Sequence, residues 1–167
     1  MIRIAITGPE SSGKTALAIA LGERLSAPVY LEFAREFIDG LNRGYTQEDL
    51  ETIALGHLAQ FSDSTKEIQI IDTDFIVLKV WSKVRFGSVS ATILEHIQSN
   101  YFDLHILCTP DIPWEADVQR EHPNFREELY EMYLEELKTS KKSFITVSGS
   151  LEDRIKKSIE AISLIQN

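Results

Sequence analysis

Cysteine is nearly missing from this 167-residue chain, where Cys108 stands alone. One thiol can neither close an internal disulfide nor complete a four-cysteine zinc site. Basic residues are the second shortage, 17 against 26 acidic ones, for a net charge of −9. An acidic surface repels nucleic acid and anionic membrane, so neither is expected as a general partner. Long hydrophobic runs are missing as well. No apolar stretch approaches the ~20 residues that a membrane helix needs. A strand pattern already begins at Ile2, which leaves no room for a signal peptide, and a cytoplasmic protein is expected. The histidines His57, His96, His105 and His122 show no metal-ligand spacing. There is no internal repeat and no low-complexity tract. The polar linkers are short, so one domain over residues 1–167 is expected, and a hydrophobic share of 43% suits a full core for it.

What is present is an alternation of short apolar runs and helical patterns. Ile2 to Thr7, Val29 to Leu31, Ile68 to Asp72, Leu104 to Cys108 and Phe144 to Val147 read as strands. Between them, Lys14 to Leu25, Ala34 to Leu41, Thr46 to about Thr65, Phe75 to Val84, Ser90 to Gln98 and Phe125 to Leu137 read as helices. A last helix runs from Ser150 to about Ile165. Thr46 with an acid three residues on, Asp49, has the form of a capping box. Strands that alternate with helices make βαβ units. The expected fold is therefore α/β, with three layers: a parallel sheet of about five strands carrying helices on both faces.

Gly8-Pro9-Glu10-Ser11-Ser12-Gly13-Lys14-Thr15 follows the first strand and opens the first helix. This is the G-x-x-x-x-G-K-[ST] phosphate loop in the context that gives the motif its meaning. Gly8 and Gly13 let the backbone turn, and successive N–H groups from Glu10 through Ser12 to Lys14 are expected to cradle phosphates. Lys14 is suited to the β- and γ-phosphates as a mobile charge, and the Thr15 hydroxyl to magnesium. ATP and Mg2+ are the expected cofactors, and the fold expected is that of a P-loop NTPase or nucleoside kinase.

Ligands of parallel sheets bind beyond the carboxyl ends of the strands, and acids stand there. Asp72 ends strand three as a magnesium-holding Walker B acid would. Asp74 is a candidate for the acceptor substrate, or else the cap of the helix that begins at Phe75. The two roles can be exchanged. Glu32 ends strand two and could take a proton from an attacking hydroxyl, with Arg35 near the acceptor or the moving phosphoryl group. After strand four, residues 110–127 read as a lid. Arg120 and Arg126 are its candidate phosphate-binding arginines, Asp117 a partner for Arg120, and Trp114 either a surface for stacking on a ligand ring or a core or loop anchor. His57, Trp81 and the acids from Glu127 to Glu136 read as structural, the last as a solvated helix face.

The chain is also similar to a family. Glu10-Ser11-Ser12 inside the loop, Glu32-Phe33-Ala34-Arg35-Glu36, Ile71-Asp72-Thr73-Asp74-Phe75 and Pro113-Trp114-Glu115-Ala116-Asp117 resemble, in this order, the ribosylnicotinamide kinase domain of NadR-type NAD-biosynthesis proteins. The resemblance implies ATP-dependent phosphorylation of the ribose 5′-hydroxyl of nicotinamide riboside. It places Lys14, Thr15 and Asp72 near ATP and magnesium, Glu32, Arg35 and Asp74 near the nucleoside, and Arg120 on the lid. It also leads one to look for an aromatic before Glu32, where this chain has Leu31. The alternatives are a kinase for another nucleoside or vitamin-like metabolite, and an ATP-binding regulatory ATPase.

Overall fold

The computed structural model describes residues 1–99, 101–116 and 124–166. Five strands, β1 (Ile2–Thr7), β2 (Val29–Tyr30), β3 (Ile68–Asp72), β4 (Leu104–Cys108) and β5 (Phe144–Val147), form one parallel sheet in the order β2-β3-β1-β4-β5. The helices are α1 (Lys14–Leu25), α2 (Phe33–Asp39), α3 (Gln47–Phe61), α4 (Phe75–Phe86), α5 (Ala91–Gln98), α6 (Arg126–Thr139) and α7 (Leu151–Ile165).

Alternation along the strands sends side chains to two covered faces. Ile4 and Ile6 of β1 join Leu17 and Leu21 of α1 and Ile155 and Ile162 of α7 on one side. Ala5 and Ile71 face the other way, onto Leu50, Phe61, Phe75 and Phe102. Strands buried on both faces must be apolar throughout, which is how they read. Fully burying each such aliphatic side chain is worth about 1.5–3 kcal/mol.

The element limits differ from expectation at the ends. β2 stops at Tyr30, which leaves Leu31 exposed. Helix α3 stops at Phe61, because the polar Ser62-Asp63-Ser64-Thr65 stretch supplies no apolar residue for the core. Its N-terminus is the capping box expected: the Thr46 hydroxyl accepts from the Asp49 N–H, and the Thr46 N–H donates to the Asp49 carboxylate at 2.7 Å. Ser150 and Asp153 cap α7 in the same way.

One face of α6 corrects the expectation of a solvated acidic surface. Glu136 is 8% exposed and accepts from Lys79 and, at 2.6 Å, from Lys83, both on α4. Burial opposes its ionisation, but the two ammonium groups prevail and hold its carboxyl below the usual range. This pair of contacts fastens α6 across α4, beside the apolar seam of Val80, Leu129 and Tyr133.

Candidate functional site

The order of the sheet brings the site together. β1 lies between β3 and β4, and Ile6 pairs in register with Asp72. The loop after β1 therefore sits beside the acid that ends β3. Gly8 has φ +134°, and a Cβ there would come within 2.7 Å of the Cys108 carbonyl on β4. Only glycine lets the chain leave the sheet so close to its neighbour. Burial pushes the adjacent Cys108 thiol up to about 11, so it is not a nucleophile at neutral pH.

From Gly8 the loop turns through Ser11 at φ 53° and Gly13 at φ 81° into α1. No side chain caps the start of α1, and its first turn carries no acid. The N-terminal amides are thus left for an anion, with the helix dipole behind them. The Lys14 ammonium donates to the Pro9 carbonyl at 2.9 Å, and the Ser12 hydroxyl donates to the same oxygen at 2.7 Å. The Thr15 hydroxyl donates to Asp72 Oδ2 at 2.6 Å. Asp72 is 1% exposed, and its Oδ1 has no hydrogen-bond partner among the described residues. Burial pushes the Asp72 carboxyl above its ordinary value, against the opposing pull of Lys14 and the Thr15 hydroxyl.

Thr73 separates the two acids after β3. It stands at φ 81°, a costly conformation for a β-branched residue, worth about 1–3 kcal/mol. Two hydrogen bonds pin it: its N–H donates to the Ile6 carbonyl at 2.9 Å, and its carbonyl accepts from His57 Nε2 at 3.0 Å. His57 is structural, as expected, and burial lowers its pKa and keeps the ring neutral. The turn aims Asp72 at Thr15 and Asp74 into the core.

Asp74 therefore departs from its expected place beside the acceptor. It is 0% exposed and caps α4 by accepting from the Val77 N–H at 3.0 Å. It also accepts from the Thr7 hydroxyl at 3.1 Å and pairs with His105 Nδ1 at 2.8 Å. Both oxygens are engaged, so the capping alternative is the one the geometry shows.

A cleft of about 310 Å³ opens over this frame. The phosphate loop from Gly8 to Thr15, with Glu10, Ser11 and Ser12 included, lines one end. Glu32 and Arg35, at the start of α2, line another part of the wall, and Glu115 adds a further acid. The remaining wall is apolar and aromatic: Val77, Val80, Trp81 and Val84 of α4, and Leu129 and Tyr133 of α6. Trp81, read as plain core, is half-buried and stands on this wall with Tyr45 behind it, ring centroids 5.5 Å apart. The α4 pattern could not separate the two, because a residue lining an internal cleft and a core residue have the same spacing.

Trp114 and Arg126 of the expected lid do not line the cleft. The Arg126 guanidinium sits over the Trp114 ring at 5.6 Å. Arg126 reaches the phosphate loop through the backbone, donating to the Ser11 carbonyl at 2.9 Å and the Ile112 carbonyl at 3.0 Å. Arg120 and Asp117 lie outside the described residues. Sequence reasoning missed Arg154 altogether. It is 2% exposed and donates to the Ser12 carbonyl at 2.7 Å. Its position beside Ile155 and four residues before Ser158, on the buried stripe of α7, was the available signal.

A parallel sheet with a phosphate loop at its central strand and an acid on the neighbouring strand defines a P-loop nucleotide-binding fold. The chain belongs to the AAA domain family, whose model matches residues 3–154. It is homologous to NadR. It is 32% identical over 125 residues to the trifunctional NAD biosynthesis/regulator protein NadR of Salmonella typhimurium, covering 70% of this chain and 30% of that protein. The Escherichia coli protein of the same name is 28% identical, with 98% of this chain and 42% of the relative covered. The chain thus spans less than half the length of these curated relatives. A crystal structure of NadR protein in complex with NR superposes with a TM-score of 0.80 at 22% identity, over 96% of this chain and 50% of that one. Deoxyadenosine kinase from M. mycoides gives a TM-score of 0.68 at 15% identity, over 97% and 99%. These likenesses show the P-loop fold.

Proposed function

We propose that the chain is an ATP-dependent kinase that phosphorylates the ribose 5′-hydroxyl of nicotinamide riboside to give nicotinamide mononucleotide. One observation carries this: a single cleft joins the phosphate loop to an acid-edged, aromatic-walled chamber at the carboxyl ends of the strands. Glu10, Glu32 and Glu115 suit a cationic acceptor, and Trp81 with the valines of α4 suits a flat heterocycle.

In this reading the amides of the phosphate loop and Lys14 hold and neutralise the phosphates of ATP. Glu32 orients the acceptor hydroxyl and takes its proton. Arg35 sits beside the group in transfer. Phosphoryl transfer asks for positioning and charge neutralisation more than covalent chemistry, and these groups supply both. Thr15 and Asp72 fit Mg2+: one offers an exposed hydroxyl, the other a buried oxygen with no protein partner among the described residues. When bound, the ion would offset charge on the β- and γ-phosphoryl oxygens. Among the described residues no group of three or more His, Cys, Asp or Glu could hold a metal ion. Among the described residues no helix is long and apolar enough to cross a membrane.

A second reading, a kinase for a different nucleoside, is favoured by Leu31. It is 49% exposed, off the cleft wall, and aliphatic where the family resemblance leads one to look for an aromatic. A panel of nucleosides with ATP, read by ADP release and product mass, tests both. Phosphorylation of nicotinamide riboside above all others supports the first. Preference for another nucleoside selects the second, and release of ADP without any phosphorylated product leaves only an ATPase.

A further inference from the structure

The phosphate loop is held from outside the cleft by two arginines that take consecutive carbonyls. Arg126 donates to the Ser11 carbonyl, and Arg154 to the Ser12 carbonyl. Neither guanidinium lines the cleft. A trans peptide is planar, with its C=O and N–H on opposite sides. A Ser12 carbonyl held by Arg154 therefore turns the Gly13 N–H the other way, and a Ser11 carbonyl held by Arg126 does the same for the Ser12 N–H.

The Ser12–Gly13 peptide needs such a tie. Gly13 stands at φ 81° and, as glycine, accepts either hand of backbone at little cost, so that unit flips more easily than one followed by a residue with a side chain. Arg154 is built to resist it. Nε donates to the Gly149 carbonyl at 3.0 Å, and Nη2 to the Thr109 carbonyl at 3.3 Å and to the Asp111 carboxylate. Asp111 is itself fixed, accepting from the Thr109 hydroxyl and the Gly149 N–H, each at 2.6 Å. With three of its bonds on the β4 and β5 ends, the fork cannot turn, and its remaining bond falls on Ser12. A lysine, a single point donor, cannot make this set.

We propose that Arg154 is a positioning residue for the nucleotide phosphates: oriented by Asp111, it locks the Ser12–Gly13 peptide with its N–H toward the cleft. The inference rests on the reading of the loop as an ATP site. It names a residue on α7, far along the chain from the motif, that acts on affinity for phosphate rather than on the reacting atoms.

The test uses the full chain with Arg154→Gln, Arg154→Lys and Asp111→Asn. Equilibrium binding of ATP with Mg2+, and of adenosine at millimolar concentration, is measured alongside circular dichroism and thermal melting. Wild type must bind ATP; if it does not, the ATP reading itself fails before any variant is compared. Given that binding, folded Arg154→Gln is expected to lose about tenfold in ATP affinity while adenosine binding stays near wild type. Arg154→Lys recovers only part. Asp111→Asn, which keeps the arginine but frees it, shifts ATP affinity in the same direction by a smaller factor. It decides the matter if Arg154→Gln does not fold. Wild-type ATP affinity in a folded Arg154→Gln or, failing that variant, in Asp111→Asn overturns the proposal. Equal loss of ATP and adenosine does so too, because that is the mark of general damage.

Discussion

The Thr15 hydroxyl reaches across from the first turn of α1 to the end of β3 and donates to Asp72 Oδ2 at 2.6 Å. These residues lie 57 positions apart in sequence. One is exposed and the other is sealed beneath it, so the second carboxylate oxygen of Asp72 is buried without a partner among the described residues. A fold tolerates a buried, half-satisfied acid only at a cost.

That cost predicts the behaviour of Asp72→Asn. Burial raises the folded-state pKa of Asp72, so its ionised form weakens the fold as pH rises from the ordinary carboxylate range. The variant should melt higher than wild type at neutral pH without nucleotide, by about 1–3 kcal/mol of stability, with the gain gone below roughly pH 4. It should also lose the dependence of ATP binding on Mg2+. Calorimetry across pH and a Mg2+ titration check both parts, and a melting point below wild type at pH 7 contradicts the first.

Lys14→Ala is expected to lower phosphoryl transfer by about 10²–10³-fold, because it removes the ammonium that lines the cleft within the phosphate loop itself. Steady-state rates with saturating acceptor measure this. Turnover within a few-fold of wild type would remove Lys14 from the site.

Glu32→Gln separates the acceptor side from the donor side. It should lower turnover by about 10²–10⁴-fold as a proton-accepting group does, with ATP affinity nearly unchanged. Direct ATP binding beside turnover distinguishes the two, and a loss confined to ATP binding contradicts the assignment.

Trp81→Ala removes the indole from the cleft wall. Loss of a stacking surface costs about 1–3 kcal/mol, so the acceptor KM should rise roughly tenfold or more while the ATP KM holds. An unchanged acceptor KM would place the heterocycle elsewhere.

Glu136→Gln tests the seam between α4 and α6. The two lysines depress the Glu136 pKa, so its contribution is present above the ordinary glutamate value and is lost as pH falls through the depressed one. The variant should be less stable by about 1–3 kcal/mol at neutral pH, and the difference should shrink in acid. Denaturant melts at neutral and acidic pH read this directly.

Much of the fold was legible because it follows from local rules. The apolar runs, the capping residues Thr46 and Ser150 and the glycines of the phosphate loop each announce themselves within a few residues. Asp74 shows where that legibility stopped. An acid after a strand looks the same whether it faces solvent or turns inward, and the turn at Thr73, held by His57 from α3 and by Ile6, is what sent it to the core. Glu136 misled for a related reason: its lysine partners lie on another helix, 57 and 53 positions away.

The sequence by itself determined the alternation of strand and helix, the phosphate loop and the identity of the acids that end the strands, since period, glycine and charge are local properties. Tertiary structure alone decided that Asp72 lies under Thr15, that Asp74 caps a helix inside the core, that Trp81 walls the cleft, and that Arg154 holds the Ser12 carbonyl. Each of these depends on which strand is set beside β1 and which helix covers it. Those choices are made by burial of apolar surface summed over the whole chain, and no single segment carries them.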